Sequence, residues 1–354
     1  MNTSVWTQLF AVMRLEMRKT FFTRRGWWVY ILAFAPALLY LIHSIDSVRN
    51  HEQRQALAAA HPVALYAIKQ VAVGDSVEDV EKALGPPYFH VTFKRREFEV
   101  RAYRYTNGDS DFNIQFFNGA VTRIDEEERC NLQKDSAIFA TTFQFFYLRL
   151  AVFFGCVGIF TNLFRGEMLD KSLHFYLLAP MRREVLLAGK YLAGLTVAVV
   201  TFTLGTALQI AALSWHFDPG VVPAYLHGTG WTDIASYLGI TALACVGYGG
   251  IFLAVGLVFK NPIVPATVVL LWEAVNIFLP AALKKISVIF YLQSLCPFVA
   301  APDKDMSPFL RLLLSSAEPA APWVAITGLL AVTALVLTIA AMRARRLEIN
   351  YGTE

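Results

Sequence analysis

Few residues in this sequence have the types and spacing that covalent chemistry needs. The Gly189-Lys190 pair is followed by Tyr191 and lacks the upstream glycine, so it does not match the loop that binds nucleotide phosphates. The zinc-protease pattern HExxH and the hydrolase pattern GxSxG do not occur. The four cysteines show no spacing typical of a zinc or redox site. The sequence therefore predicts no catalytic, cofactor or metal site.

The histidines support the same interpretation, because they are dispersed along the chain. We interpret each as an interfacial or solvated residue rather than a ligand: His43, His51, His61, His90, His174, His216 and His227.

One carboxylate is unusual because of where it lies. Glu273 is in the middle of the apolar run VLLWEAVNIF, where an ionised carboxylate costs roughly 2.5 to 3.5 kcal/mol on insertion scales. A residue this costly often faces a cavity or a partner, so Glu273 and Asn276 are candidates for a polar path through a membrane. The alternative is a protonated or locally hydrogen-bonded Glu273, with Asn276 as its neighbour about one helical turn away.

The densest group of charges lies in the segment from Phe164 to Leu195, between two long apolar runs. Its charged residues are Arg165, Glu167, Asp170, Lys171, Arg182, Arg183, Glu184 and Lys190. We expect this segment to lie in water. The stretch from Leu173 to Leu178 is amphipathic and is followed by Pro180, which cannot donate a backbone hydrogen bond. The pattern predicts a short helix that lies across the membrane face.

This segment resembles the coupling loop of permease subunits in ATP-binding-cassette (ABC) exporters of the type-2 class. The resemblance rests on the run LHFYLLAPMRR at residues 173–183, followed by VLLAGK at residues 185–190. In that family the loop carries a helix that docks on the ATPase subunit. The resemblance implies that these residues couple the chain to an ATPase: Glu167, Asp170, Lys171, Leu173, Tyr176, Pro180, Arg182 and Arg183.

The match to the family pattern is incomplete at its acidic end. Members commonly carry a denser acidic cluster before a Thr-Leu or Ser-Leu step, whereas only Glu167 and Asp170 precede Ser172-Leu173 here. Which acidic residue meets the ATPase therefore stays open. The alternative is a solvated loop whose charges only fix the orientation of the chain.

The composition is that of a membrane protein. Of the 354 residues, 56% are hydrophobic and only 16% are charged, outside the range of ordinary soluble domains. The formal net charge of +4 is small, and Lys and Arg cluster at the ends of apolar runs. Membrane lipids are thus expected partners, and nucleic acid is not.

Six apolar segments are expected to cross the ~30 Å hydrocarbon core. They are Trp27–Ile45, Phe143–Phe164, Tyr191–Leu213, Tyr237–Phe259, Ile263–Leu283 and Trp323–Met342. Residues 5–25 separate apolar from basic side chains, which predicts an amphipathic helix at the membrane surface, either an anchor or part of the ATPase cradle. The short run Ile286–Leu295 is interpreted as a re-entrant helix. If it crossed fully, seven spans would place the C-terminus outside.

Residues 47–142 form a polar insertion between the first two spans, and we expect it to lie outside the cytoplasm as a small α+β domain. The run Ser76-Val77-Glu78-Asp79 predicts a capped helix start, and Leu84-Gly85-Pro86-Pro87 predicts its end. Strands are expected at Tyr88–Lys94, Phe98–Tyr105, Phe112–Phe116 and Ala120–Ile124, with Asn118-Gly119 as a two-residue hairpin turn.

Residues 68–126 of this insertion resemble the small BamE/SmpA lipoprotein domain. The shared features are Gly74-Asp75-Ser76, Val80, Leu84-Gly85-Pro86-Pro87 and the strand end Phe116-Phe117-Asn118-Gly119-Ala120-Val121. In that family an antiparallel sheet packed by helices acts as a protein-contact scaffold. The resemblance implies an extracytoplasmic protein as a further partner.

These patterns predict an α-helical membrane protein with six transmembrane helices, an N-terminal interfacial helix and a small α+β domain. We divide it into residues 1–46 (interfacial helix and first span), 47–142 (insertion) and 143–354 (five-helix remainder with the coupling loop 165–190). The expected location is the inner (plasma) membrane, with both termini in the cytoplasm.

The function that these patterns favour is that of an export permease subunit. It would work by alternating access with a second permease copy, in a homo- or heterodimer, and with ABC ATPase subunits that bind the ATP. The alternative is a non-transporting assembly or sensor module that acts through the extracytoplasmic domain. A lipid-modifying enzyme would need a catalytic constellation that the sequence does not contain. The substrate does not follow from the sequence.

Overall fold

The computed structural model describes residues 5–22, 26–61, 63, 65–95, 98–128, 131–169, 178, 181–259, 261–276, 279, 281–297 and 320–345. The chain divides into two compact units. The first unit comprises Met1–Leu39, Ser136–Ala212 and Pro223–Glu354, and the second comprises Tyr40–Asp135 and Leu213–Val222.

The described elements are mostly helical, with one small sheet. In chain order they are α1 (Val5–Phe22), α2 (Trp27–Ala60), α3 (Leu65–Ile68), α4 (Val77–Leu84), β1 (Phe89–Arg95), β2 (Phe98–Thr106), β3 (Ser110–Phe117), β4 (Ala120–Glu128), α5 (Leu132–Thr142), a π-helical segment (Phe143–Val152), α6 (Phe153–Leu169), α7 (Arg183–Ser214), α8 (Val221–Tyr225), a second π-helical segment (Leu226–Gly230), α9 (Trp231–Val258), α10 (Ile263–Val275), α11 (Ala281–Lys284), α12 (Val288–Ser294) and α13 (Pro322–Arg345).

Five of the described helical segments are long and apolar enough to cross a membrane. They are Trp27–Ala60, Leu132–Met168, Arg183–Ser214, Val221–Val258 and Pro322–Arg345. Each contains most or all of one expected span, and together they support a multi-pass membrane protein.

The expected span Ile263–Leu283 differs from the structure. The helix α10 has 13 residues, from Ile263 to Val275, and at 1.5 Å per residue it is about 20 Å long. That is less than the ~30 Å hydrocarbon core. The expected short helix nearby is present as α12, Val288–Ser294. The count of six spans therefore stays a prediction.

The first apolar helix is longer than expected, because α2 continues from Ile45 to Ala60. Residues 47–60 contain neither Gly nor Pro, so nothing local ends the helix there. Within the second unit this extension packs against the sheet. Arg54 Nε lies 2.8 Å from Asp111 Oδ2, and the hairpin glycine Gly108 lies against Ala58.

Close helix packing in the first unit depends on glycines of α9. A Cβ atom at Gly256 would lie 2.7 Å from the Cα atom of Thr161, a backbone atom of α6. At Gly249 it would lie 2.5 Å from the ring of Phe160. At Gly239 of the same helix, nothing lies within 4 Å of a Cβ built there. The absence of a side chain is thus required where α9 crosses α6.

The local signals expected in the insertion are confirmed. The Ser76 side chain accepts a hydrogen bond from the Asp79 backbone N–H at 3.2 Å and caps α4, which ends at Gly85 with φ of 78°. Asn118 and Gly119 adopt φ of 49° and 86°, the left-handed conformation that a type I′ hairpin turn requires at both positions.

The sheet of the second unit is an antiparallel meander in the order β1-β2-β3-β4. Strand β3 alternates as predicted, with Phe112, Ile114 and Phe116 buried. The Tyr103 hydroxyl, whose pKa is raised by burial, donates to Glu81 Oε1 at 2.8 Å and ties β2 to α4. The buried core consists of Ala67, Ile68, Val80, Leu84, Tyr103, Tyr105, Phe112, Ile114, Phe116 and Val121.

The packing of α9 on α6 can be tested with two alanine substitutions on the same helix. We expect Gly256→Ala to destabilise the protein by about 1–3 kcal/mol, because the added methyl group meets backbone atoms that cannot rotate away. Gly239→Ala is the matched control and should leave stability unchanged or raise it by up to about 1 kcal/mol through helix propensity. Thermal unfolding of the purified protein in detergent measures both. Equal melting temperatures for the two variants would contradict the packing.

Candidate functional site

The predicted coupling loop, residues 165–190, is partly helical in the structure, because α6 extends to Leu169 and α7 begins at Arg183. Arg182 immediately precedes α7 and is exposed. Five of the predicted coupling residues lie outside the described residues, and their roles stay predictions: Asp170, Lys171, Leu173, Tyr176 and Pro180.

The most distinctive site beside this loop is centred on Lys190 of α7, which is 0% exposed. Its Nζ donates to Glu16 Oε1 at 3.0 Å and to the backbone oxygen of Leu163 at 2.9 Å. It also lies 2.8 Å from Glu167 Oε2, as an ion pair outside hydrogen-bond geometry. The ring of Phe164 covers it, with its centroid 5.4 Å from Nζ. One ammonium group thus contacts α1 and α6 together.

A second lysine completes the cluster at its outer side. Lys19 Nζ lies 3.3 Å from Glu167 Oε1 and 3.8 Å from Glu16 Oε1. The Lys19 side chain is half-exposed, whereas the carboxylates of Glu16 and Glu167 are buried. We name these four residues, Glu16, Lys19, Glu167 and Lys190, the ion cluster. It carries two positive and two negative charges and joins α1, α6 and α7.

The ion cluster corrects one expectation from the sequence. The charges of residues 164–195 were expected in water, but Glu167 and Lys190 are buried. Removing such groups from water costs several kcal/mol for each ion, and only pairing with additional hydrogen bonds repays that cost. Lys190 gains both, because two carboxylates and a carbonyl oxygen surround it. The sequence did not reveal that α1 supplies a partner.

Helix α1 reaches the ion cluster because it packs closely on α7. A Cβ atom at Gly189 would lie 2.8 Å from a side-chain atom of Val12. That close approach brings Glu16, one helical turn after Val12, to Lys190. A cavity of about 310 Å³ opens next to the cluster, lined by Glu16, Lys19 and Glu167 together with Tyr30, Asn162 and Thr201.

The start of α7 is fixed by a second polar contact. Arg183 Nη1 donates to the backbone oxygen of Arg345 at 2.9 Å, and Arg345 Nε forms an ion pair with Glu184 Oε1. Arg345 is the last residue of α13. Arg183 was predicted to couple to an ATPase, and in this structure its side chain binds the end of the last long helix. This helix end is exposed, so the pair is worth about 1 kcal/mol or less.

Glu273 and Asn276 are both buried, but their side chains bind different groups. Glu273 Oε2 accepts from Ser287 Oγ at 2.6 Å and from the Ile289 N–H at 3.0 Å. Oε1 accepts from the Val288 N–H at 3.0 Å. Asn276 Nδ2 donates weakly to the backbone oxygen of Lys284 at 3.4 Å.

The carboxylate of Glu273 therefore caps the N-terminus of α12, where backbone N–H groups have no partner within their own helix. This geometry favours the locally hydrogen-bonded alternative over a place in a translocation path. The sequence suggested Asn276 as the neighbour of Glu273, whereas its described hydrogen-bond donors come from residues 287–289.

Arg149 is a partly buried cation that sequence reasoning missed. It lies in the π-helical segment Phe143–Val152, with its guanidinium 5.1 Å from the ring centroid of Phe145. Among the described residues its Nε and Nη2 atoms have no hydrogen-bond partner. An arginine inside the apolar run FQFFYLRLAVFF was the signal that could have identified it.

The importance of the ion cluster can be tested by removing its central charge. Lys190→Met should destabilise the protein by about 3–5 kcal/mol, because Glu16 and Glu167 would be left buried without their main counter-charge. Lys19→Met is the matched control and should cost about 0–1 kcal/mol, since that lysine is half-exposed. The measurement is the melting temperature in detergent at fixed pH and salt. A loss for Lys190→Met no larger than for Lys19→Met would contradict the geometry.

Comparison with known proteins identifies the family of the chain. A search among curated proteins found no match to the sequence. The family model described as ABC-2 family transporter protein matches residues 10–343 and so covers nearly the whole chain, from α1 to the end of α13. Members of this family are the membrane components of transporters and typically work with an ABC ATPase subunit. With five long apolar helices and a family match across both compact units, this chain belongs to the ABC-2 family of transporter proteins.

Proposed function

We propose that this chain is the permease half of an ATP-driven exporter that works by alternating access. The match to the ABC-2 family supports a permease, and the sequence contains no phosphate-binding loop of its own. The ATP is then bound by separate ABC ATPase subunits. A second permease copy, identical or related, completes the transporter. The chain itself is not an enzyme in this proposal.

The observation that carries the proposal is the ion cluster. Glu167 and Lys190 join α6 and α7 beside the loop that connects these two helices, residues 170–182. Glu16 joins α1 to the same point. A displacement of the loop by an ATPase would therefore reach three helices at once, through charges that cannot separate without large cost.

The docking surface in this proposal is the stretch around Asp170, Lys171, Leu173, Tyr176, Pro180 and Arg182. Glu167 and Lys190 have a different role, which is to transmit the motion inside the protein. Burial supports this division, because Glu167 is 7% exposed and Arg182 is exposed.

We further propose six membrane crossings in an inner (plasma) membrane, with both termini in the cytoplasm. The sixth would be made by α10 together with the residues that follow it, with α12 as a re-entrant helix. The capping of α12 by Glu273 supports that assignment, because a helix end at membrane depth must have its backbone groups satisfied by protein.

The sheet of the second unit is proposed as an extracytoplasmic contact domain similar to BamE/SmpA. Its antiparallel sheet with α3 and α4 against a shared core supports the resemblance. Strand β1 is at one edge of the sheet, and its side chains Phe89, Val91 and Phe93 are exposed. Such an edge can bind a protein segment through backbone and apolar contacts.

The coupling proposal predicts the effect of reversing one exposed charge. Arg182→Glu should weaken binding of the ABC ATPase about tenfold, equivalent to about 1.4 kcal/mol, and should lower substrate-stimulated ATP hydrolysis in proteoliposomes. Lys94→Glu, an exposed position on β1, is the matched control and should change neither. The melting temperatures of both variants should equal that of the wild type. Unchanged ATPase affinity of Arg182→Glu would refute the docking role.

The topology proposal predicts which engineered cysteines react from outside the cell. In a variant lacking native cysteines, a membrane-impermeant maleimide should label Val73→Cys and Thr229→Cys. It should label Arg182→Cys and Asn261→Cys only after the membrane is permeabilised. All four positions are exposed, so burial does not limit the reaction. Labelling of Asn261→Cys in intact cells would overturn the assignment.

A further inference from the structure

Three metal-ligating side chains meet within the second unit, although they are far apart in the sequence. His43 lies on α2, Asp135 near the start of α5, and His216 just after the end of α7. One ligand atom of each lies within 4.8 Å of the other two. No sequence pattern connects them, because no two are within a spacing typical of a metal motif.

The distances suit a small cation with nitrogen and oxygen ligands. His216 Nε2 lies 3.1 Å from Asp135 Oδ2. A tetrahedral ion with bonds of about 2.0–2.1 Å separates its ligand atoms by roughly 3.3 Å, so these two atoms are already spaced as ligands of one ion. The rings of His43 and His216 are 5.7 Å apart, edge to face. His43 is exposed, so its ring can rotate by the small amount that brings its ligand nitrogen to the same ion.

The other nitrogen of His216 has the kind of partner that orients a ligating imidazole. Nδ1 lies 3.3 Å from Ser44 Oγ, and both residues are buried. A metal-bound histidine usually donates its second N–H to a nearby oxygen, which fixes the tautomer. If Nδ1 donates to Ser44, Nε2 carries a lone pair that faces the Asp135 carboxylate. The Nε2 lone pair and the carboxylate oxygen are then both acceptors, and at this distance they need a cation between them. The opposite tautomer, with Nε2–H donating to Asp135, is the metal-free state.

Burial supports a site with one open side. The side chains of His216 and Asp135 are 2% and 13% exposed, whereas His43 is exposed. Two ligands are therefore held in place, and the third closes over the ion from the solvent side. This arrangement leaves a fourth position for water and an entry path for the ion.

We propose that His43, Asp135 and His216 bind one divalent transition-metal ion of the zinc class. Two imidazoles and one carboxylate favour Zn²⁺ over Mg²⁺ or Ca²⁺, which prefer all-oxygen sites. Binding replaces the hydrogen bond between His216 Nε2 and Asp135 with two bonds to the ion, and it ties the middle of α2 to the start of α5 and to the end of α7 in the second unit. The proposal does not depend on the export function, because it rests on this cluster alone.

Zinc titration of the purified full chain tests the proposal. After treatment with a chelator, calorimetry should show one Zn²⁺ bound per chain, and the bound ion should raise the melting temperature. His43→Gln should lower the affinity at least tenfold; because this residue is exposed, the variant should fold normally. His61→Gln, an exposed histidine in the same unit, is the matched control and should bind like the wild type.

Two further measurements separate a metal site from a hydrogen-bonded pair. Ser44→Ala should weaken zinc binding by about 10–100-fold, as loss of an outer partner does at known sites. The visible spectrum of a Co²⁺-loaded sample should show four-coordinate geometry in the wild type and lose it in Asp135→Asn. Wild-type protein that binds no stoichiometric zinc, or His43→Gln that binds it equally well, would overturn the proposal and leave only a proton between His216 and Asp135.

Discussion

A charge that is removed from water must be neutralised close by, and in this protein that requirement centres on Lys190. Its ammonium group is fully buried, so α1 and α6 must each place a carboxylate within about 3 Å of it. The small residue at Gly189 lets α1 approach closely enough to do so. The position of the N-terminal helix is thus a consequence of satisfying one lysine, and this helix is more than a surface anchor.

The same buried charges determine how the loop between α6 and α7 is held. The helices on both sides of the loop are joined by an ion pair, and the start of α7 also binds the end of α13 through Arg183 and Glu184. A loop attached to mobile helices would absorb a push from a partner. In the proposed function, a loop attached to helices that share buried charges would transfer the push to them.

The same physical rule explains Glu273, another buried carboxylate. It is satisfied by the N–H groups at the start of α12 and by Ser287, so its charge completes a helix end. These hydrogen bonds account for the burial of Glu273, and a role for it in a transport path stays a prediction. Arg149 differs from Glu273 in this respect. Its Nε and Nη2 atoms have no hydrogen-bond partner among the described residues.

Features with local causes could be predicted from the residues alone. The capped helix at Ser76, the Asn118-Gly119 turn, the alternating strand β3 and the long apolar helices were all readable, since each depends on residues within a few positions of one another. The end of α2 was predicted too early, because the apolar run ends at Ile45 while the helix continues through polar residues that contain neither Gly nor Pro. Which charges meet depends on how the helices pack. Glu16 and Lys190 are 174 positions apart, and His216 and Asp135 are 81 apart. No local pattern encodes such pairs, because the energy that selects them appears only when packed helices exclude water around both partners.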